Sequence, residues 1–400
     1  MAVVQTQSPP SPPAARSMTE IIWSVLSSLR LTVVLLALGM VLVFVGTLAQ
    51  VNLGLYKAQR EFFQSLFVFW TTPFGLRIPI LPGGYLLGGL LLLNLFAAHF
   101  RYFQATPKKI GIVLIHTGIV LLLLGQLFTD LLSVESQMHL RLGETKNYSE
   151  VPTAFELAIV DTTDAKMDKV VAIAPRRLFK GGEITHPELP FTVRLKKFLH
   201  NSTLQDKPTP GYSAVEVTHG AGVGLFWREE PHVTQMDMRD MPSGIIEIVT
   251  PQGVLGTYLV SAYIGRPQTF THNGRTYQIT LRLERIYKMH SLQLLEFRHD
   301  KYPGTDIPKN FSSRVRLRRA DTDEDREVLI YMNNPLRYAG ETYYQARFDV
   351  DNQGTILQVV RNPSWLTPYF SCVLVGVGLM VQFGMHLVGF VHNRNRKEGR

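Results

Sequence analysis

Two histidines sit inside long apolar runs of this 400-residue chain. His116 lies in IGIVLIHTGIVLLLLGQLF (110–128) and His386 in GVGLMVQFGMHLVGFV (376–391), and neither stretch holds Asp, Glu, Lys or Arg. An imidazole at membrane depth costs free energy unless a partner or ligand compensates. His116 is six residues inside its run and His386 five residues inside the end of its own. At about 1.5 Å per residue both lie roughly 8–9 Å deep, so the sequence predicts a shared depth. His99 stands at the end of another apolar run, with Arg101, Lys108 and Lys109 following it. Imidazoles supply axial ligands to haem iron, apolar side chains surround a porphyrin, and interfacial cations pair with its propionates. The residue types therefore predict a haem site with His116 and His386 as iron ligands, flanked by His99, Arg101, Lys108 and Lys109. The competing reading is that each imidazole only hydrogen-bonds a neighbouring helix.

Four runs are long enough to cross a bilayer, which takes roughly 20 apolar residues: 31–49, 78–100, 110–128 and 366–391. Basic residues flank them at Arg16 and Arg30, at Arg101, Lys108 and Lys109, and at Arg394, Arg396, Lys397 and Arg400. An even number of crossings separates these sites, so they share one side, which the positive-inside rule makes cytoplasmic. The formal net charge of +9 reads as topology and contact with the lipid bilayer, not as nucleic-acid binding. The expected order is a disordered Pro- and Ser-rich tail (1–17), an interfacial helix with three spans (18–132), an extracytoplasmic β-rich domain (133–365), a fourth span (366–391) and a basic tail (392–400). The first run reads as a retained anchor, not a cleaved signal.

In the third run Gly111, Gly118 and Gly125 recur every seven residues. They fall on one helical stripe that lets another helix approach closely, and His116 projects about 140–160° away from it. Pro79 and Pro82 are placed at the start of the second spanning helix, where proline is tolerated. In the large domain FELAIVD, FTVRLKKFL, YSAVEVT, GIIEIVT and RVRLRRA read as strands, and Asn273-Gly274 as a hairpin turn. This predicts an all-β sandwich or distorted barrel of one or two lobes. Its eight histidines show no metal-binding spacing, and most read as surface residues. The acidic run DTDEDRE reads as a solvated loop. Cys372 is the single cysteine, so a disulfide or CxxC redox pair within the chain is excluded. No hydrolase or transferase motif is present. Four spans free of acidic residues offer little to a transporter for coupling ions.

Three stretches carry a resemblance: SLRLTVVLLALGMVLVFVGTLAQ, GIVLIHTGIVLLLLG, and IPKNFSSRVRL with VLIYMNNPLRYAGETYYQARFD and VVRNPSWLTPYF. Together they resemble the ResB (CcsB) family of System II cytochrome c biogenesis. The resemblance implies a multi-pass protein of a bacterial or plastid-type inner membrane that works with a CcsA-type membrane partner. Such a complex moves haem, bound transiently and non-covalently as b-type, across the membrane and attaches it to apocytochrome c. The family's third-span histidine corresponds to His116. The tryptophan-rich haem motif of the partner is absent, since Trp23, Trp70, Trp227 and Trp365 are scattered. The chain would then be an assembly factor that does not complete attachment alone. A haem-handling subunit and a membrane scaffold that holds a partner or apocytochrome without binding haem both stay open, and a Soret band sensitive to His116 separates them.

Overall fold

The computed structural model describes residues 17–72, 74–102, 106, 109–164, 167–233, 239–305 and 308–398. Almost all of the N-terminal tail, Lys108 and Arg400 lie outside them. The chain divides into two compact units: the described parts of Met1–Asp130 with Ser364–Arg400, and Leu131–Pro363.

The first unit is helical. Ser17 caps the helix Met18–Leu26 and exchanges hydrogen bonds with Glu20 in a capping box. Four helices are long and apolar enough to cross a membrane: span 1 (Leu29–Leu53), span 2 (Gly84–Tyr102), span 3 (Ile110–Leu132) and span 4 (Thr367–Glu398). Spans 1 and 2 pack through Leu35, Leu42 and Leu87, with Phe62 and Val68 from the intervening segment. Buried Asn94 ties them further. It accepts from Thr32 Oγ1 at 2.6 Å, and its amide donates to the carbonyls of Leu26 (2.6 Å) and Ser28 (3.1 Å), where the chain breaks before span 1.

Span 2 starts later than its apolar composition predicts. Arg77–Pro82 pairs antiparallel with Phe67–Thr71, with Pro79 opposite Phe69, so Pro79 and Pro82 lie in a hairpin and not in the helix. The helix then begins where Gly83 and Gly84 pass the backbone of Phe63 and Ser65; a Cβ on Gly84 would stand 2.3 Å from the Phe63 carbonyl oxygen. Span 3 runs four residues past its apolar stretch, to Leu132, and so carries Asp130. The span is thus not free of acid. Gln64 Nε2 donates to Asp130 Oδ1 at 2.6 Å, and the Tyr85 hydroxyl donates to Oδ2.

The glycine stripe of span 3 meets span 4. Gly111, Gly118 and Gly125 are all buried. A Cβ added at each would stand 2.9 Å from the Gly378 carbonyl oxygen, 2.6 Å from Val375 Cγ2 and 2.6 Å from Thr367 Cγ2, respectively. Only hydrogen fits there, and that lets the two backbones touch.

The second unit is antiparallel β. Its ten-stranded sheet runs in the order Glu324–Tyr331, Pro308–Arg319, Arg275–Lys301, Thr145–Asp161, Val134–Arg141, Gly354–Arg361, Glu341–Phe348, Leu336–Tyr338, with Gln268–His272 and Lys169–Ile173 pairing beside it. A bridge between Tyr331 and Asn334 brings its two ends close, so the sheet is a nearly closed, distorted barrel. A four-stranded sheet and a three-stranded sheet complete the unit. Its central strand, Arg275–Lys301, is 27 residues long. The first part pairs with Thr145–Asp161 and the last part with Pro308–Arg319. Accordingly it feeds two cores, one with Tyr277, Ile279 and Leu281, the other with Leu292 and Leu294.

The predicted hairpin forms at Asn273-Gly274, with φ of 49° and 73°, as a tight two-residue turn requires. Of YSAVEVT only Ser213–Ala214 is strand. The acidic run is largely strand, and several of its charges are paired: Asp325 takes two bonds from Arg316, at 2.6 and 2.7 Å, and Asp321 pairs Arg319.

Candidate functional site

Of the predicted site residues, the fold brings His116 and His99 together. Their ring centres are 6.4 Å apart and their planes are inclined by 76°. His116 turns away from the glycine stripe that packs on span 4, so its ring meets span 2. Both imidazoles are partly buried.

His386 is separated from them. Gly111 lies against Gly378 and Gln382, and Gly118 against Ser371 and Val375. In that antiparallel register His116 is level with about residue 375. His386 lies about 11 residues further along span 4, roughly 16 Å away on the axis. The predicted equal depth fails because it was measured from the ends of apolar runs, whereas span 4 continues as helix to Glu398. His386 is exposed, and its Nε2 stands 2.8 Å from Gln382 Nε2 one turn earlier. The imidazole that faces His116 is His99.

The interfacial cations take different places. Arg101 Nη1 donates to Ser27 Oγ at 2.8 Å, which ties the end of span 2 to the break before span 1. The Lys109 backbone amide donates to the Thr106 carbonyl at 2.9 Å as span 3 begins. Among the described residues, no group of three or more His, Cys, Asp or Glu is arranged to hold a metal ion.

An iron held by two imidazoles needs each nitrogen about 2 Å away, borrowing the length of other metal–imidazole bonds. That leaves the ring centres roughly 6 Å apart, close to the separation of His99 and His116. The pair therefore fits haem iron by spacing.

A second cluster, in the β unit, is one the sequence reading passed over. His290 is buried, unlike the surface position expected for most of the domain's histidines. Tyr343 donates its hydroxyl proton to Glu341 Oε2 at 2.7 Å, so its oxygen accepts from His290 Nε2 at 2.8 Å. Lys288 Nζ donates to Glu341 Oε1 at 2.7 Å with its side chain only 3% exposed. Burial pushes the His290 imidazole below its usual range and the Tyr343 phenol above its own. The alternation Lys288, His290 with Glu341, Tyr343 puts all four on one face of two strands, a period-2 signal visible in the sequence.

Residues 256–356 match the ResB-like family, a stretch that contains the long central strand and the His290 cluster. Over 90 residues the chain is 34% identical to Protein NrfI of Wolinella succinogenes, which is 22% of this chain and 10% of that protein. The chain thus spans about a tenth of the length of the curated relative it matches. The chain, with four helices long and apolar enough to cross a membrane, is thus similar to the ResB-like family through this matched β segment.

Proposed function

We propose that this protein is a cytochrome c biogenesis factor that holds haem at His99 and His116 on its way to apocytochrome c, together with a CcsA-type membrane partner. The observation that carries this reading is the pairing of two imidazoles on neighbouring membrane helices at a spacing suited to one iron. The match of residues 256–356 to the ResB-like family supports the process. Haem is the cargo: the imidazoles bind it, and the apolar faces of spans 2 and 3 keep water from it. Arg101 and Lys109, at the same end of these helices, supply positive charge for its carboxylates.

The test is an absorption spectrum of the full chain purified with its membrane partner. A Soret band that falls several-fold in both His116→Ala and His99→Ala, and partly returns with added imidazole, is the expected result. An unchanged band in His116→Ala refutes it.

The scaffold reading is favoured by a different observation: the family match lies wholly in the β unit. In that reading the β surface holds the partner or apocytochrome, and cytochrome c maturation survives loss of both imidazoles.

We also propose that the β unit is extracytoplasmic and both chain ends cytoplasmic, from the basic flanks. Ser202 is unsuited to a labelling test because it is fully buried, bonded to Ser243 Oγ at 2.7 Å. Val350, 99% exposed, is suited. Val350→Cys in a Cys372→Ser chain should react with an impermeant thiol reagent on intact spheroplasts; reaction only after lysis reverses the topology.

A further inference from the structure

Spans 2 and 3 are tied at two levels, by the Tyr85–Asp130 hydrogen bond and by the His99–His116 ring contact. Fourteen residues separate the ties on each helix, so the two run antiparallel in one register. In that register Gly88 stands level with Leu127, Gly89 with Gln126 and Leu92 with Leu123. On span 2 Tyr85, Gly88, Gly89 and Leu92 follow the spacing i, i+3, i+4, i+7, and on span 3 Leu123, Gln126, Leu127 and Asp130 repeat it. Each set is one helix face, and the two faces line a cleft of about 410 Å³. A Cβ built on Gly88 or Gly89 meets nothing within 4 Å, so the space exists where the glycines stand.

The cleft is polar at one end and apolar along its length. Asp130 is the one charged residue among the described residues that line it. Asp130 and Tyr85 lie within one turn of their helix ends, Leu132 and Gly84, at the level where lipid headgroups begin. Gln64 Nε2 donates to Asp130 Oδ1 at 2.6 Å and the Tyr85 hydroxyl donates to Oδ2. A carboxylate has about four acceptor sites, so about two remain for a further donor. From Asp130 the walls run inward to Leu123 for about 10 Å, the rise of seven residues. A guest that suits both ends carries a cationic N–H donor on a hydrocarbon chain. An anionic amphiphile would meet the carboxylate with like charge.

We infer that the cleft between spans 2 and 3 holds one phospholipid whose headgroup ends in a primary ammonium, as in phosphatidylethanolamine. The ammonium donates to Asp130. The Gln126 amide offers a donor to the phosphate, and an acyl chain lies over Gly88 and Gly89 against Leu92, Leu123 and Leu127. A choline headgroup has the charge but no N–H to donate, and phosphatidylglycerol has no cation. The site stands apart from the haem reading and does not depend on it.

The test is native mass spectrometry of the full chain, purified in detergent and mixed in turn with dioleoyl-phosphatidylethanolamine, -phosphatidylcholine and -phosphatidylglycerol. The chain should retain phosphatidylethanolamine about ten-fold better than either other lipid, the difference one charge-assisted hydrogen bond makes. Equal retention of the three, or a preference for phosphatidylglycerol, overturns the inference without any variant. Asp130→Asn, nearly the same shape without the charge, should retain all three alike. An undiminished preference in that variant overturns the site. Should Asp130→Asn lose its helical circular dichroism, Gly88→Leu decides, because its added side chain enters open space and fills the cleft. There the preference should vanish with the helices intact, and a preference equal to the parent's overturns the inference.

Discussion

Gly118→Ala is the sharpest probe of the helix pair that fixes the register of His116. The new methyl carbon would stand 2.6 Å from Val375 Cγ2 and 2.9 Å from the Ser371 carbonyl oxygen, where ordinary contact begins at 3.4 Å. Val375 can rotate, but the Ser371 carbonyl is helix backbone and cannot. The spans must part by roughly 0.5–0.8 Å, which loosens the neighbouring contacts at Gly111 and Gly125 as well. Overpacking of this kind costs about 1–3 kcal/mol, against about 1 kcal/mol gained from alanine's better helix propensity. Gly376→Ala is the control. It lies on span 4 with nothing within 4 Å of its Cβ, so it receives the propensity gain alone. The two variants should differ by about 1–3 kcal/mol, with Gly118→Ala the less stable, in denaturant titrations of the purified chain in detergent followed by circular dichroism. Equal midpoints and slopes for the two variants would refute the close glycine contact, and with it the register that separates His386 from His116.

His386→Ala should retain the Soret band and cytochrome c yield of the parent, because His386 lies about 16 Å along the axis from the imidazole pair; a several-fold loss of the band would put it back among the iron ligands. Glu341→Gln removes the charge opposite Lys288, whose side chain is 3% exposed, and should destabilise the β unit by about 3–5 kcal/mol, read as a drop in its chemical unfolding midpoint; a change under about 1 kcal/mol would mean that water reaches the lysine. Burial lowers the His290 pKa in the folded state, so the unfolded chain binds the extra proton first. The stability this histidine contributes is complete above its unfolded pKa of about 6.5 and is lost as pH falls from there through the depressed folded value. Unfolding midpoints measured between pH 7 and 5 should fall with acid, and His290→Gln should flatten that slope; an equal slope in the variant would remove His290 as its source.

Much of this architecture is legible from local pattern. The seven-residue glycine spacing, the Asn273-Gly274 turn and the strand character of FELAIVD and GIIEIVT each depend on neighbours a few residues away, and each appears in the fold, the two strands buried on both faces rather than alternating. What escapes the sequence is longer-range. The start of span 2 depends on the hairpin partner Phe67–Thr71, which turns an apolar, proline-bearing stretch from helix to strand. The placement of Asp130 within span 3 depends on Tyr85 and Gln64, which satisfy its carboxylate. The imidazole pairing depends on which helices adjoin. Counting residues from the ends of apolar runs cannot reveal that span 4 slides past span 3, and so His99, at the end of its run, stands beside His116 in place of His386. The clue available was Asn94, a polar residue five positions before His99 that fixes how span 2 sits on span 1.

The 27-residue strand Arg275–Lys301 is a single piece of backbone shared by two hydrophobic cores. Its ladder changes register near Leu283 and Glu284 and again between Tyr287 and Leu292, so each half keeps its own alternation of inward and outward side chains. Neither core can melt without fraying hydrogen bonds that also frame the other. The two lobes are thereby mechanically geared: a load or a bound protein that strains one end of the strand is transmitted along covalent backbone to the opposite end, with no hinge loop between to absorb it. The β unit should accordingly behave as one cooperative body, and a one-residue deletion at its midpoint, between the two register changes, would set the two alternations against each other across the whole length of the sheet.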